Sequence, residues 1–408
     1  MTATAADSKP AMLGLVPAMP GVANSGQAAP GLMPAGDRPL AILHVFRAPV
    51  GGLFRHVVDL VRGQAAAGHR VGIVADATTG GTRAEATLAE LAPVLALGMT
   101  RVPMSRHLGL SDVTAMRRVA QVIASRGADV IHGHGAKGGA YARLVATRAL
   151  RAYTPHGGSL HFDPRSPVGF VYLNLERALL PRTHLILFES AYARDVYHAR
   201  IGTPAACVRV IHNGVAAAEF APVLPAADAS DLVFVGELRR LKGVDVLIEA
   251  LSLLNAAGRP VSATIVGSGP EAAEFQALAR TRGLAKVTFP GAMPARDAFA
   301  HGRILIVPSR AESLPYIVLE AAAAGLPMLA TNVGGIPEIF GPHSDRLLPA
   351  GEAAKLAEAI RNALADPADI RASAQVIRGR VQAEFSAEAM VAAVLAAYRV
   401  AAEQRPVG

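Results

Sequence analysis

The stretch DLVFVGELRRLKGVDVLIEAL, Asp231 to Leu251, contains the pattern that decides the fold. An apolar run of strand length, Leu232 to Val235, is followed by a polar turn and then by apolar residues at helical spacing from Val244. Further units of the same kind follow up to about residue 330. Short apolar strands that alternate with amphipathic helices of about 10 to 15 residues predict a parallel sheet covered by helices.

A second series of the same kind precedes this one. From Pro39 onward the strand candidates are LAILHVF, VGIVAD, ADVIHGH, AYTPHG and HLILFES. The helices predicted between the strands, in both series, span residues 53–67, 83–92, 112–125, 137–150, 244–256, 271–282 and 315–324. At 408 residues the chain is also longer than one hydrophobic core usually organises. The sequence therefore predicts an α/β protein with two doubly wound, Rossmann-like domains that face a central crevice.

The boundaries follow from composition. Residues 1–37 are rich in Ala, Pro and Gly, which predicts a disordered tail, and the stretch VLPAADASD, Val223 to Asp231, is typical of a linker. We therefore assign 38–215 to the first domain, 216–385 to the second and 386–408 to a C-terminal helix. That helix, predicted over 388–403, is expected to pack back on the first domain.

Composition excludes several classes of protein. No apolar run reaches the ~18 residues that a membrane span requires, and prolines interrupt the N-terminus where a secretory signal would need an apolar core. The single cysteine, Cys207, cannot form an internal disulfide and is expected to lie in the core. The absence of Trp and of any recognisable binding module argues against nucleic acid. We expect a cytoplasmic protein.

The positive charge is concentrated in the first half. Residues 38–200 carry 20 Lys and Arg against 10 Asp and Glu, a net +10, whereas residues 201–408 carry 19 against 20, a net −1. This asymmetry indicates either a surface that faces an anionic partner, such as a phospholipid membrane or a phosphate-bearing acceptor, or basic residues that only increase solubility.

Polar residues follow the strands of the second series, where ligands bind in such sheets. Gly267 and Gly269 open a helix after the strand ATIV, although the third glycine of a dinucleotide fingerprint is missing, and a tight turn without a ligand remains an alternative. The basic loop GELRRLKG carries Arg239, Arg240 and Lys242, which could clamp a diphosphate or simply form a solvated loop.

The segment ESLPYIVLE places Glu312 in a loop and Glu320 in the helix that follows. Pro315 is expected near the first helical position and Ser313 at the N-cap. The free N–H groups of the backbone from Ser313 to Tyr316 suit a phosphate, and the carboxylates on either side suit hydroxyl groups. An anion flanked by two polyols is a nucleotide-sugar; the alternative is that both glutamates are surface charges.

Histidines follow three positions in the first series: His56 after Gly51 and Gly52, His134 in VIHGHG, and His156 in YTPHGG. Their spacing matches no zinc motif, so we expect no metal and interpret these histidines as hydrogen-bond partners of a sugar.

The segments PSRAESLPYIVLEAAAAGLPMLATNVGGIPEIF, VGELRRLKGVDVLIEAL, VIHNGV, GGLFRHVVDL and TPHGGS together resemble the retaining GT-B glycosyltransferases of family 4, also called glycosyl transferases group 1. The resemblance covers about residues 40–400. It implies that the first domain binds the acceptor and the second the nucleotide-sugar. It also implies that Glu312 faces the donor sugar, Glu320 holds the ribose, Lys242 binds the diphosphate, and Gly51 and Gly52 close over the phosphates. His134 is the histidine expected to contact the sugar, while His56 and His156 are acceptor-side candidates. The donor-binding residues further include Ser313, Leu314, Pro315 and Tyr316.

Two positions depart from the family pattern. The family has an arginine five residues before the lysine, whereas this chain has Glu237, so Arg239 or Arg240 is expected to supply that charge. The usual E-G-F-G is replaced by E-S-L-P, which alters the pocket for the donor sugar.

The sequence therefore predicts a metal-independent retaining hexosyltransferase that uses a nucleoside-diphosphate sugar and a saccharide or lipid-linked saccharide acceptor. A role in exopolysaccharide or cell-envelope assembly is expected, with peripheral contact to an anionic membrane. The alternatives are a GT-B nucleotide-sugar epimerase, which would act without an acceptor, and a nucleotide-sugar-binding protein without turnover.

Overall fold

The computed structural model describes residues 38–106, 109–157 and 165–404. The predicted tail over residues 1–37 lies outside the described residues. The first half of the described chain forms a parallel sheet of seven strands in the order β3-β2-β1-β4-β5-β6-β7. Its strands are β1 Ala41–Phe46, β2 Arg70–Asp76, β3 Gly98–Val102, β4 Val130–His134, β5 Leu150–Thr154, β6 Leu185–Phe188 and β7 Cys207–Val210. Its helices are α1 Gly51–Ala66, α2 Gly81–Leu91, α3 Ser111–Arg126, α4 Gly135–Leu144, α5 Pro167–Leu179 and α6 Ala191–Arg200.

The second half forms a parallel sheet of five strands in the order β10-β9-β8-β11-β12. Its strands are β8 Ser230–Val235, β9 Ala263–Val266, β10 Val287–Gly291, β11 Gly302–Val307 and β12 Met328–Ala330. The helices are α7 Val244–Ala256, α8 Ala272–Thr281, α9 Ala295–Phe299, α10 Tyr316–Ala323 and α11 Ile336–Phe340, followed by α12 Ala353–Ala365, α13 Pro367–Glu384 and α14 Ala387–Glu403. Strand order reverses between β1 and β4 and between β8 and β11, so the predicted doubly wound architecture is confirmed.

The chain passes from the first half to the second near Val215 and returns to it near Ser386, and these two crossings lie side by side. Val215 and Ser386 form a parallel bridge, and the N–H of Ala387 donates to the carbonyl of Val215 at 3.0 Å. A side chain at Gly214 would meet the carbonyl of Ser386 at 2.3 Å, so only glycine allows this contact. After the second crossing, α14 packs on the first sheet, where Met390, Val394 and Tyr398 share a core with residues of β1, β5 and β6.

Two local predictions were wrong. The helix predicted over 137–150 ends at Leu144, because Val145 adopts an extended conformation and Leu150 already begins β5. Ser313 does not cap α10. Pro315 occupies the N-cap position with extended backbone and no side-chain cap, and the helix begins one residue later at Tyr316.

Among the described residues, no helix combines the length and the apolar character needed to cross a membrane.

Candidate active site

The carboxyl edges of both sheets meet along the crevice, and hydrogen bonds join its two walls. The Nδ2 of Asn213, which follows β7, donates to the carbonyl of Leu314 at 2.8 Å. Glu338 of α11 accepts the N–H groups of Ala191 and Tyr192 at the start of α6, each at 2.9 Å. The Asn213 bond holds the loop before α10 against the first half of the chain, and the Glu338 bonds hold α11 against it.

Lys242 and Glu312 form the charged centre of the second wall. The Nζ of Lys242 lies 2.7 and 2.8 Å from the two carboxylate oxygens of Glu312, and the hydroxyl of Ser309 donates to one of them at 2.7 Å. The Glu312 side chain is 8% exposed and that of Lys242 is 28% exposed. The lysine therefore remains within reach of a ligand in the crevice, whereas the carboxylate lies deeper.

The two candidate arginines of the basic loop, Arg239 and Arg240, have different ion-pair partners. Arg240 pairs with Glu274 and, at 4.0 Å, with Asp245. Arg239 has a loose ion pair with Glu237 at 3.6 Å, and both side chains are more than two-fifths exposed. Lys242 alone of the three cations pairs with Glu312.

Glycines bring the loops of this wall together. A side chain at Gly267 would meet the carbonyl of Gly236 at 1.8 Å, and one at Gly269 would meet the backbone of Leu238 at 2.4 Å. Gly334 has φ of +60°, and a side chain there would meet the carbonyl of Glu312 at 1.9 Å. These glycines therefore allow one loop to pack directly against the backbone of another. Their spacing in the sequence did not show whether they allow this packing or the close approach of a ligand.

Glu320 faces the first domain from α10. The Nη1 of Arg55 in α1 lies 3.4 Å from its Oε1, and the same guanidinium reaches Asp59 and Glu219 at 2.8 Å. Burial raises the pKa of Glu320 to about 7 although Arg55 opposes the shift. Beside them, the Tyr316 hydroxyl lies 3.4 Å from the Nδ1 of His56, and the Tyr316 ring lies 3.5 Å from where a side chain at Gly52 would begin. A side chain at Gly51 would have no atom within 4 Å of its Cβ.

Five histidines form a buried cluster behind the first wall. Ring nitrogens of His44 and His134 lie 2.9 Å apart, those of His134 and His156 lie 3.1 Å apart, and His44 reaches Gln64 at 2.9 Å. The remaining members are His56, bonded to Asn213 at 3.0 Å, and His132, bonded to Thr154 and Tyr398 at 2.8 Å. Burial lowers the pKa of each, to about 4 for His44 and His56, so all five are neutral near pH 7.

Within the cluster, His134 and His156 differ in position. His134 is 1% exposed, and both of its ring nitrogens are occupied by neighbouring histidines. His156 has φ of +51°, an uncommon left-handed conformation for a residue with a side chain, and its Nδ1 lies 3.9 Å from the Glu189 carboxylate. Strained backbone of this kind is concentrated at functional sites.

The cluster also contains two triads with the geometry of a possible metal site. The ligand atoms of His44, His132 and His134 lie within 4.8 Å of one another, as do those of His56, His134 and His156. Hydrogen bonds join His134 to His44 and to His156, whereas His56 and His132 bond to residues outside the triads.

Arg55, Asn213 and Glu189 are site residues that sequence reasoning missed. Glu189 follows the strand LILF, and Arg55 lies one turn after Gly51 and Gly52, so both satisfied the same strand-end rule that identified the histidines. Asn213 gave no such signal, because β7, the strand that it follows, was not among the predicted strands, and its partner Leu314 is 101 residues away in the sequence.

Two family models match the chain. One, described as Glycosyltransferase Family 4, matches residues 50–219, and the other, described as Glycosyl transferases group 1, matches residues 229–366. Glycogen synthase from Mycobacterium tuberculosis is 28% identical over 388 residues, covering 86% of this chain and 92% of that protein. GDP-mannose-dependent alpha-(1-6)-phosphatidylinositol monomannoside mannosyltransferase from the same organism is 30% identical, covering 49% and 58%.

Solved structures share the fold. Sucrose-phosphate synthase from Thermosynechococcus elongatus superposes with a TM-score of 0.74 at 23% identity, covering 90% of this chain and 100% of that chain. Anabaena HepE in complex with UDP-glucose superposes with a TM-score of 0.72 at 18% identity, covering 88% and 100%.

Proposed function

Because the chain belongs to the group 1 glycosyltransferases of family 4, we propose that it moves a hexosyl group from a nucleoside-diphosphate sugar, with retention, to a saccharide or lipid-linked saccharide. The observation that carries this proposal is the Lys242–Glu312 pair before the N-terminus of α10, with Glu320 one turn into the helix. A cation, a helix N-terminus and two carboxylates match the charges and hydroxyl groups of such a donor.

In this proposal Lys242 binds the diphosphate and Glu320 binds the ribose. Binding of the diphosphate draws Lys242 from Glu312, which leaves the Glu312 carboxylate for the donor sugar. Arg239 is the arginine that supports Lys242, because Arg240 already pairs with Glu274 and Asp245. Gly52 lies beside Tyr316, and with Gly51 it approaches the phosphates from the first domain.

In this proposal His156, rather than His134, contacts the sugar. His156 is the member of the histidine chain next to Glu189 and the loop before α10, whereas His134 lies one ring deeper. His134 then acts as a positioning residue that fixes the tautomer of His156 through their hydrogen bond.

The leaving diphosphate is stabilised by Lys242, an arginine and the dipole of α10, a preorganised electrostatic site. It departs from the face that the acceptor hydroxyl approaches, so a phosphate oxygen takes the acceptor proton as the new glycosidic bond forms. Neither a protein nucleophile nor a metal ion enters this scheme. A peripheral position at the inner face of the cell membrane and a role in envelope or exopolysaccharide assembly are part of the proposal, and both rest on the basic first half.

The donor nucleotide is proposed to be UDP or GDP. HepE is solved with UDP-glucose, and the phosphatidylinositol mannoside relative is named for GDP-mannose. Screening UDP- and GDP-sugars for nucleotide release, with lipid-linked and soluble acceptors, identifies both substrates.

The site is tested by calorimetry with free UDP and GDP. Lys242→Ala and Glu320→Ala should each weaken binding by roughly 10- to 150-fold, since losing one partner of a charge-assisted bond costs ~1.5–3 kcal/mol. Glu312→Ala should chiefly lower turnover. Lys355→Ala, at an exposed lysine of α12 paired with Glu358, is the matched control. Unchanged nucleotide affinity in both the Lys242 and the Glu320 variants would overturn this assignment.

A further inference from the structure

A groove between α3, α4 and α5 lies outside the site described above. It encloses about 330 Å³ and is lined mostly by apolar side chains: Val113, Met116, Ala140, Leu144, Val171 and Leu175. This volume is at the lower end of the ~300–1,000 Å³ of small-molecule sites. The groove therefore suits part of a slender apolar molecule.

The rim of the groove continues into an apolar surface. Val113, Leu144 and Val171 line the groove and are 44%, 36% and 50% exposed, and Val168 and Phe170 on the outer face of α5 are 53% and 64% exposed. Exposed apolar side chains that are contiguous mark protein or membrane contacts, whereas scattered ones need no explanation. This surface and the groove form one continuous apolar feature.

The groove has one polar end. The Nζ of Lys137 and the hydroxyl of Tyr141 both donate to Oδ1 of Asp112, at 2.6 and 2.5 Å. Asp112 lies in the first turn of α3 and Lys137 in the first turn of α4, and helices that follow parallel strands start at the carboxyl edge of the sheet. The polar end of the groove is therefore at the sheet edge that lines the crevice.

Two arginines stand at this end. Arg106 follows Ser105, whose hydroxyl lies 3.4 Å from the Nζ of Lys137 in the groove lining. Arg47 follows Phe46 at the end of β1, where a side chain at Gly138 of α4 would meet the Phe46 Cα at 2.6 Å. Within the described part of the chain, neither arginine has an ion pair or a hydrogen bond from its guanidinium. Two cations at the mouth of an apolar groove are complementary to an alkyl chain with an anionic head.

We propose that this groove binds the hydrocarbon chain of a lipid-phosphate-linked acceptor, whose phosphate lies at Arg47 and Arg106 and whose sugar enters the crevice. The outer face of α5 then rests on the membrane from which the lipid comes. This inference rests on the proposed glycosyl transfer and names its acceptor class. The net charge of +10 over residues 38–200 favours an anionic lipid over a neutral one.

Calorimetry with dodecyl phosphate below its micelle concentration tests the groove. The wild-type chain should bind it at least roughly tenfold more tightly than inorganic phosphate, because each buried CH₂ contributes about 0.8 kcal/mol. It should also bind it at least roughly tenfold more tightly than dodecyl maltoside, because the maltoside head carries no charge for the arginines to bind. Ala140→Phe, which fills the groove, Val113→Asp, which charges its rim, and Arg106→Gln should each weaken binding by a similar factor. Val376→Asp on α13, at a valine that is 48% exposed, is the matched control and should not change it.

A second measurement uses the absence of Trp from the chain. Phe170→Trp introduces a single fluorophore on α5, which vesicles of brominated phosphatidylglycerol should quench, while Val376→Trp should stay unquenched. Transfer to glucosyl dodecyl phosphate should fall in Ala140→Phe with donor hydrolysis unchanged.

Equal dodecyl phosphate affinity in the wild type, Ala140→Phe and Val113→Asp would overturn the proposal. So would vesicle binding without dodecyl phosphate binding, since the bilayer would then contact only the surface. Transfer that Ala140→Phe leaves unaffected would identify the occupant as a bulk phospholipid and overturn the acceptor assignment. UDP and GDP binding separates the two proposals: a wild-type chain that binds neither nucleotide contradicts the glycosyltransferase site itself.

Discussion

Arg55 illustrates how one residue joins the two halves of the site. Its guanidinium contacts Asp59 on its own helix, Glu219 after the first crossing, and Glu320 on α10. Three carboxylates around one half-buried cation leave excess negative charge. Burial raises the pKa of Asp59 and raises that of Glu320 to about 7. A ribose that hydrogen-bonds to Glu320 would therefore compete with Arg55, whose Nη1 lies 3.4 Å from the carboxylate.

At this scale we predict the pH dependence of Glu320→Gln. The unfolded carboxyl has an ordinary pKa of ~4.3, so the folded protein holds an extra proton between about pH 4 and 7. The free energy of unfolding of the wild type therefore falls as pH rises through that window, by up to roughly 3 kcal/mol, and the amide variant lacks this fall. Glu320→Gln should be the more stable protein at pH 8, with a smaller difference at pH 5.

Urea unfolding at pH 5 and pH 8 measures this effect. Glu358→Gln, at an exposed glutamate of α12, is the control and should follow the wild type at both values. A Glu320→Gln variant whose stability changes with pH as the wild type's does would show that Glu320 titrates normally.

At the scale of elements, α1 and α14 approach closely because of Gly63. A side chain at Gly63 would meet Cγ2 of Val391 at 2.5 Å and Cγ1 at 3.0 Å. The α1–α14 contact connects the C-terminal helix to the element that carries Arg55 and His56.

We predict that Gly63→Ala destabilises the protein by about 1–3 kcal/mol, the usual cost of an overpacked contact. Val391→Ala in the same chain should restore part of the loss by removing both clashing methyl groups. Gly379→Ala in α13, where nothing lies within 4 Å, is the matched helical control and should be neutral or stabilising by about 0.5–1 kcal/mol. Thermal unfolding of the wild type, both single variants, the double variant and Gly379→Ala tests this, and additive effects of Gly63→Ala and Val391→Ala would contradict the contact.

At the scale of the whole molecule, the described residues contain two triads that could hold a metal, and both belong to the histidine cluster. Their ring nitrogens already bond to one another and to Gln64, Asn213, Thr154 and Tyr398. Neither triad includes Lys242, Glu312 or Glu320, the residues proposed to bind the donor.

We therefore predict that glycosyl transfer persists in excess EDTA. The measurement is nucleotide release before and after dialysis against the chelator, together with the metal content of the purified protein. Complete loss of activity that Mg²⁺ restores, or stoichiometric zinc in the active protein, would contradict the metal-free mechanism.

The sequence by itself determined the two-sheet architecture and named candidate residues for the donor site. Strand–helix periodicity is local, so α7 was predicted at Val244–Ala256 as the structure has it, and polar residues after strands identified Lys242, Glu312 and Glu320 as candidates. Helices α5 and α6 gave no clear local signal. Helix α4 was predicted too long, because no Gly or Pro separates it from β5 in the sequence.

Only the tertiary structure decided which polar groups meet. Asn213 and Leu314 are 101 residues apart, and Arg55 and Glu320 are 265 apart, so no local pattern could pair them. Burial likewise distinguishes His156 from His134, because the exposure of each ring depends on the side chains that cover it in the folded protein. Spacing along the chain places a side chain at the edge of a sheet, but its partners, charge state and access to the crevice depend on the packing of both sheets together.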